Sequence, residues 1–154
     1  MRLVALAALL LACGLGSAAL AGDMDSTPAL EDTHWGPGPA NMPPGAQLAV
    51  MAGNPAKAAF VSLRLKLPPG YTIPPHTHPT DEHVTVLEGT LAMGMGDVID
   101  PKAEITLGKG GYAVAAAGMH HYARTTGGAI VQVDMMGPAT MTYINPADDP
   151  RGKK

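Results

Sequence analysis

The chain has 154 residues, with 10 Lys and Arg against 13 Asp and Glu, a formal net charge of −3 and a single cysteine. The acidic balance and the lack of any basic run argue against nucleic acid as a partner. One cysteine, Cys13, excludes an intramolecular disulfide framework.

Met1 and Arg2 form a short positive end, residues 3–12 are apolar and uncharged, and Ala19-Leu20-Ala21 has the small-x-small pattern that signal peptidase reads. That apolar run is about half of the roughly 20 residues a membrane span needs. The pattern therefore predicts a cleaved signal peptide over residues 1–21 and an exported, periplasmic or secreted protein with no transmembrane segment after processing. The alternative is a lipoprotein anchored at Cys13, which follows a small residue at the end of the run. Cleavage after Ala21 would remove the only cysteine, and with it any thiolate catalysis or thiolate metal site. The remaining roughly 130 residues can bury one core without staples.

Residues 22–47 are rich in Pro, Gly, Asp, Ser and Thr, with Trp35 as the only large aromatic, and read as an extended arm docked through Trp35. From residue 48 the pattern changes to short apolar or alternating stretches punctuated by Gly and Pro. Residues 60–67 alternate, with Val61, Leu63, Leu65 and Leu67 on one face and Ser62, Arg64 and Lys66 on the other. Further strands are predicted over residues 71–76, 82–87, 91–95, 104–107, 112–115, 121–125, 130–135 and 140–144. Short strands of this kind without a long helix predict an all-β sandwich or barrel over residues 48–154, ending in a solvated polar tail.

The informative segment runs over residues 70–89 and contains His76, His78 and Glu82. Residues two apart on a strand point the same way, so His76 and His78 can converge on one ion. Pro79-Thr80-Asp81 suits a turn that returns Glu82 on the neighbouring strand. Two imidazoles and a carboxylate form a borderline-to-hard donor set suited to one divalent ion: Mn, Fe, Ni, Zn or Cu. A second segment, residues 110–121, ends in His120 and His121, and spacing alone leaves open which supplies a third imidazole.

The first segment resembles the first cupin motif at Gly70, His76, His78, Glu82 and Gly89, and the second resembles the second cupin motif at Gly110, Gly118 and His121. The second departs from the motif where Ala116 replaces a proline and Thr125 an asparagine. The resemblance covers residues 48–144 and implies a double-stranded β-helix, or jelly-roll, barrel. It also implies His121 as the fourth ligand, with His120 facing away, and by analogy a homodimer.

Strand parity turns His83 away from the ligands. His34 reads as a surface residue and Glu88 as solvated. Met93, Met95, Met119, Met135, Met136 and Met141 read as core filler in preference to a soft-metal site. Tyr71, Tyr112, Tyr122, Arg124, Gln132 and Asp134 are unassigned candidates for polar groups in the pocket or at its rim. The resemblance implies a metal-dependent oxidoreductase or lyase acting on a small oxygenated or aromatic molecule. The alternative is a non-catalytic module that captures a metal or small ligand in the cell envelope. A sugar-modifying cupin would need His or Tyr acid-base pairs, and the sequence does not reveal them.

Overall fold

The computed structural model describes residue 26 and residues 29–152. The predicted signal peptide and Cys13 lie outside the described residues. Eleven strands form two antiparallel sheets. β1 (Gly36–Pro37), β2 (Gln47–Ala52), β3 (Phe60–Leu67), β5 (Glu82–Gly89), β8 (Tyr112–Ala115) and β10 (Ala129–Met136) build the first, in the order β1-β2-β3-β10-β5-β8. β4 (Thr72–Thr77), β6 (Leu91–Met95), β7 (Ile105–Leu107), β9 (His121–Arg124) and β11 (Thr142–Tyr143) build the second, in the order β11-β4-β9-β6-β7.

The core lies between the sheets and follows from alternation. In β3, Val61, Leu63, Leu65 and Leu67 are buried as predicted. β10 presents Ala129, Val131, Val133 and Met135 inward, and β5 adds Val84 and Val86. Each Val, Leu or Met side chain among these, moved from water into this core, stabilises the fold by about 1.5–3 kcal/mol. The turn after β5 requires a glycine. Gly89 has φ 71°, and a Cβ there would lie 2.2 Å from the Gly128 carbonyl oxygen.

β1 and β2 extend the first sheet beyond the nine strands expected. β1 is two residues long and forms the edge, with β2 between it and β3, so Pro37 need not complete a ladder. Among its described residues the arm contains one 3-10 turn, Leu30–Asp32, and covers the outer face of β2 and β3. Ala49 is buried, the Arg64 guanidinium donates to Thr33 Oγ1 at 2.8 Å, and Lys66 Nζ stands 5.8 Å from the centre of the half-buried Trp35 ring. Trp35 therefore shares the docking with Thr33. Past β11 the chain closes in two 3-10 turns, Pro146–Asp148 and Pro150–Gly152, with Asn145 capping the first.

The methionines divide. Met93, Met135 and Met141 are buried as expected, but Met95 is 68% exposed and Met136 also faces solvent. Met95 has the inward parity of Met93, yet β7 pairs only with residues 91–93 and leaves it without a neighbour on that side. Met136 ends β10 on the outward parity.

Candidate metal centre

The position of His76 depends on an irregularity in β4. In an unbroken strand, Ile73 and His76 would face opposite ways. Pro74 and Pro75 lack N–H groups, however, and cannot complete a regular ladder. Between the pairs Ile73↔Ala123 and His76↔His121, three steps along β4 match two along β9. This bulge turns both Ile73 and His76 into the interior.

His76 faces His121 in register. His78 lies just beyond β4, held by the Gly118 N–H, which donates to its carbonyl at 2.8 Å. That bond ties the two histidine-bearing segments together. Glu82 opens β5 and returns to the same point. One donor atom from each of His76, His78, Glu82 and His121 lies within 4.8 Å of the others. The three imidazoles are buried and Glu82 is half-buried.

Backbone carbonyls set the tautomers. Nδ1 of His76 lies 2.7 Å from Pro74 O, Nδ1 of His78 2.7 Å from Thr140 O, and Nδ1 of His121 3.1 Å from Met119 O. A carbonyl only accepts, so each Nδ1 carries the proton and each Nε2 is directed toward the shared point. His78 Nε2 is buried without a hydrogen-bond partner, 3.6 Å from Glu82 Oε1. Such an orphaned nitrogen is costly unless something binds it.

The electrostatics fit a cation. Burial, and then the neighbouring His121, push His76 down to about 3, so it stays neutral. Burial would raise the Glu82 carboxyl, but the His121 hydrogen bond and the three imidazoles outweigh it and hold the group below its ordinary value. Burial would lower His121, yet its 3.1 Å bond to Glu82 Oε2 and the charge there raise it. A metal ion entering the cluster would displace the proton between them. Three imidazole nitrogens, one of them the unsatisfied His78 Nε2, and one carboxylate oxygen fit a divalent metal ion.

Beyond the cluster lies a cavity of about 150 Å³. Leu63, Ile73, Val84, Val131, Val133 and Met135 form much of its wall, and among the described residues Asn41 is the only polar one that lines it besides the four donors. The arm closes part of it through Pro39, Asn41 and Met42. The Tyr143 hydroxyl donates to Asn41 O at 2.8 Å, and the Tyr71 hydroxyl donates to Pro43 O. Burial, followed by Asp149, pushes the Tyr143 phenol up to about 12. Burial raises Tyr71 as well, so both remain donors.

None of the unassigned polar candidates lines this cavity. Tyr71 pins the arm, and Tyr122 holds Asp100 through both its N–H at 2.9 Å and its carbonyl at 3.0 Å. Arg124 forms a bidentate pair with Glu104, and Gln132 donates to Asp134. Tyr112 meets His83 Nδ1 at 2.5 Å. This is a His-Tyr pair, but strand parity puts it on the outer face, opposite Glu82 and Val84. His120 also faces outward and pairs with Asp97 at 2.6 Å, while His34 and Glu88 are exposed. Asn41 and Met42 are the site residues that sequence reasoning missed, because no local spacing connects the arm to the barrel's interior.

A family model described as a cupin domain matches residues 63–136. No curated protein matches the sequence. Among solved structures, the chain is similar to a polyketide cyclase from Streptomyces resistomycificus, with TM-score 0.61 and 18% identity over 83% of this chain and 91% of that one. It is also similar to a candidate acetylacetone dioxygenase from Methylibium petroleiphilum, with TM-score 0.59 and 17% identity over 86% and 90% of the two chains. A DMSP lyase from Ruegeria pomeroyi aligns with TM-score 0.58 and 19% identity over 74% of this chain and 62% of that one. At these identities the likeness is one of fold, and the three names cover different chemistries.

Proposed function

The chain belongs to the cupin superfamily, and on that footing we propose that it is an exported, metal-dependent enzyme acting on a small oxygenated or aromatic molecule. The observation that carries this reading is the convergence of His76, His78, Glu82 and His121 beside an apolar cavity, with His78 Nε2 lacking a hydrogen-bond partner. Those four side chains would hold one divalent ion. Four protein donors leave up to two positions on a six-coordinate ion, where it would supply Lewis-acid or redox chemistry to a substrate oxygen. The protein's own contribution is positional. The backbone carbonyls aim the imidazoles, and the apolar wall excludes water.

Export rests on the amino-terminal pattern, with residues 1–21 as signal peptide, 22–47 as arm and 48–154 as barrel. Among the described residues, no helix is long and apolar enough to cross a membrane. Mass spectrometry of the purified protein tests the processing: a chain beginning at Gly22 supports it, whereas a lipid-modified Cys13 supports the lipoprotein alternative.

Elemental analysis of protein from its native compartment, followed by turnover assays on organic acids, catechols and diketones, tests the enzyme reading. One bound metal per chain with metal-dependent turnover is expected. A second reading, a non-catalytic module that captures a metal or small ligand, is favoured by the lack of any acid or base on the wall besides the ligands. Tight binding of one compound without turnover of any would decide for the module. Homodimerisation, expected by analogy, is tested by sedimentation.

A further inference from the structure

Resting on the proposed metal centre, we infer that the barrel interior takes a compact apolar molecule with a single anionic oxygen head group, about the size of a benzene ring bearing one carboxylate or enolate. Three observations lead there. The cavity volume is about 150 Å³, and an apolar cavity of about that size accommodates benzene. Molecules with a second fused ring exceed it.

The wall restricts the chemistry further. Apart from the four donors, the described side chains that line it are apolar except for the Asn41 amide, and no described Ser, Thr, Tyr, Lys or Arg is among them. A hydroxyl-rich molecule would bury several polar groups with at most one amide to pair them, and each unpaired group lowers affinity by about tenfold. Sugars and nucleotides are therefore poor occupants.

Charge sets the number of anionic groups. Three neutral imidazoles and one carboxylate around a divalent ion sum to one positive charge, which one monoanionic head group neutralises. A second anionic group would be buried against Leu, Val and Met with no cation in reach. The size limit is structural on the arm side, where the hydroxyls of Tyr143 and Tyr71 hold the main chain of Asn41 and Pro43.

The test uses the full processed chain. Calorimetric titration of the zinc-loaded protein should give benzoate the tightest binding, with 1-naphthoate and isophthalate each weaker by about tenfold or more and glucose not binding. In the metal-free protein, toluene should raise the melting temperature. Val133→Phe, which fills the cavity, should abolish that shift, and Ala139→Leu is the substitute if the first variant does not fold. Isophthalate or 1-naphthoate binding as tightly as benzoate, or saturable glucose binding, would overturn the inference. Failure to take up zinc overturns the metal reading and the anionic head group with it. Toluene binding by the same metal-free protein would still uphold the size and apolarity of the cavity.

Discussion

Replacing His78 with alanine separates metal binding from fold stability, because its Nε2 is buried without a hydrogen-bond partner. In the metal-free protein the change removes the 2.7 Å hydrogen bond to Thr140 O, a loss of about 1 kcal/mol. Thr140 is exposed, so its carbonyl can turn to water. Against that loss, deleting a buried unpaired nitrogen recovers about 1–3 kcal/mol. The metal-free variant should therefore lie within about 2 kcal/mol of the parent. With metal the two diverge. At a metal concentration one hundred times Kd, the parent gains about 2.7 kcal/mol, or roughly 5–10 °C for a chain of this length. A variant that binds about a hundredfold more weakly gains only about 0.4 kcal/mol, or roughly 1 °C. Thermal unfolding across a zinc titration, with metal content measured in parallel, reads both quantities. His120→Ala serves as the control, since that ring faces solvent and pairs only with Asp97, and it should keep the full shift. Stoichiometric metal and an undiminished shift in His78→Ala, or loss of both in His120→Ala, would refute the assignment of the four ligands.

Further consequences concern pH and packing. His76 titrates near 3 in the folded chain against 6.5 when unfolded, so its contribution to metal-free stability is present above 6.5 and lost as pH falls through that window. The slope reaches about 1.4 kcal/mol per pH unit. Glu82, also lowered, adds to the loss below about 4.5, whereas the stability from the raised His121 is lost as pH rises through its folded value. Urea unfolding of the metal-free protein from pH 7 to 4 checks this, and a flat profile between 6.5 and 4 would contradict it. Gly94→Ala would place a Cβ 2.2 Å from the hydroxyl of the fully buried Tyr122. It should destabilise by about 1–3 kcal/mol, measured by chemical denaturation. The Arg124–Glu104 pair is asymmetric, since the Glu104 side chain is only 5% exposed and that of Arg124 is 37% exposed. Arg124→Ala removes both charge-assisted hydrogen bonds from the less exposed partner and should destabilise more than Glu104→Ala does. Glu104→Ala leaves a guanidinium that water can reach, so equal losses in the two variants would contradict the asymmetry.

How much of this was legible in advance depends on the range of the interaction. The alternation of residues 60–67 placed β3 correctly, because a strand with one face buried and the other partly solvated must alternate. The strands β1 and β2 are not legible in the sequence, since two-residue pairing at Gly36–Pro37 and the unbroken apolar run over residues 48–52 leave little period-two signal. Met95 was misplaced for a related reason: parity assigns it a face, but only the extent of β7 decides whether anything covers that face. Asn41 gave no sign of lining the cavity, because hydroxyls from Tyr71 and Tyr143, far along the chain, bring the arm across it.

Local order in the chain pointed to His76, His78 and Glu82 as candidate donors and to the glycine turns around them, since donor chemistry and turn conformation belong to individual side chains and dihedrals, whereas the choice of His121 over His120 came from the family resemblance. Folding in three dimensions decided what those donors face. The bulge at Pro74 and Pro75 reverses the side on which His76 lies, distant carbonyls such as Thr140 O select the ring nitrogen that points inward, and the packed sheets and arm set the size of the cavity. Each of these depends on atoms remote in sequence meeting at contact distance, and residue order alone does not encode that distance.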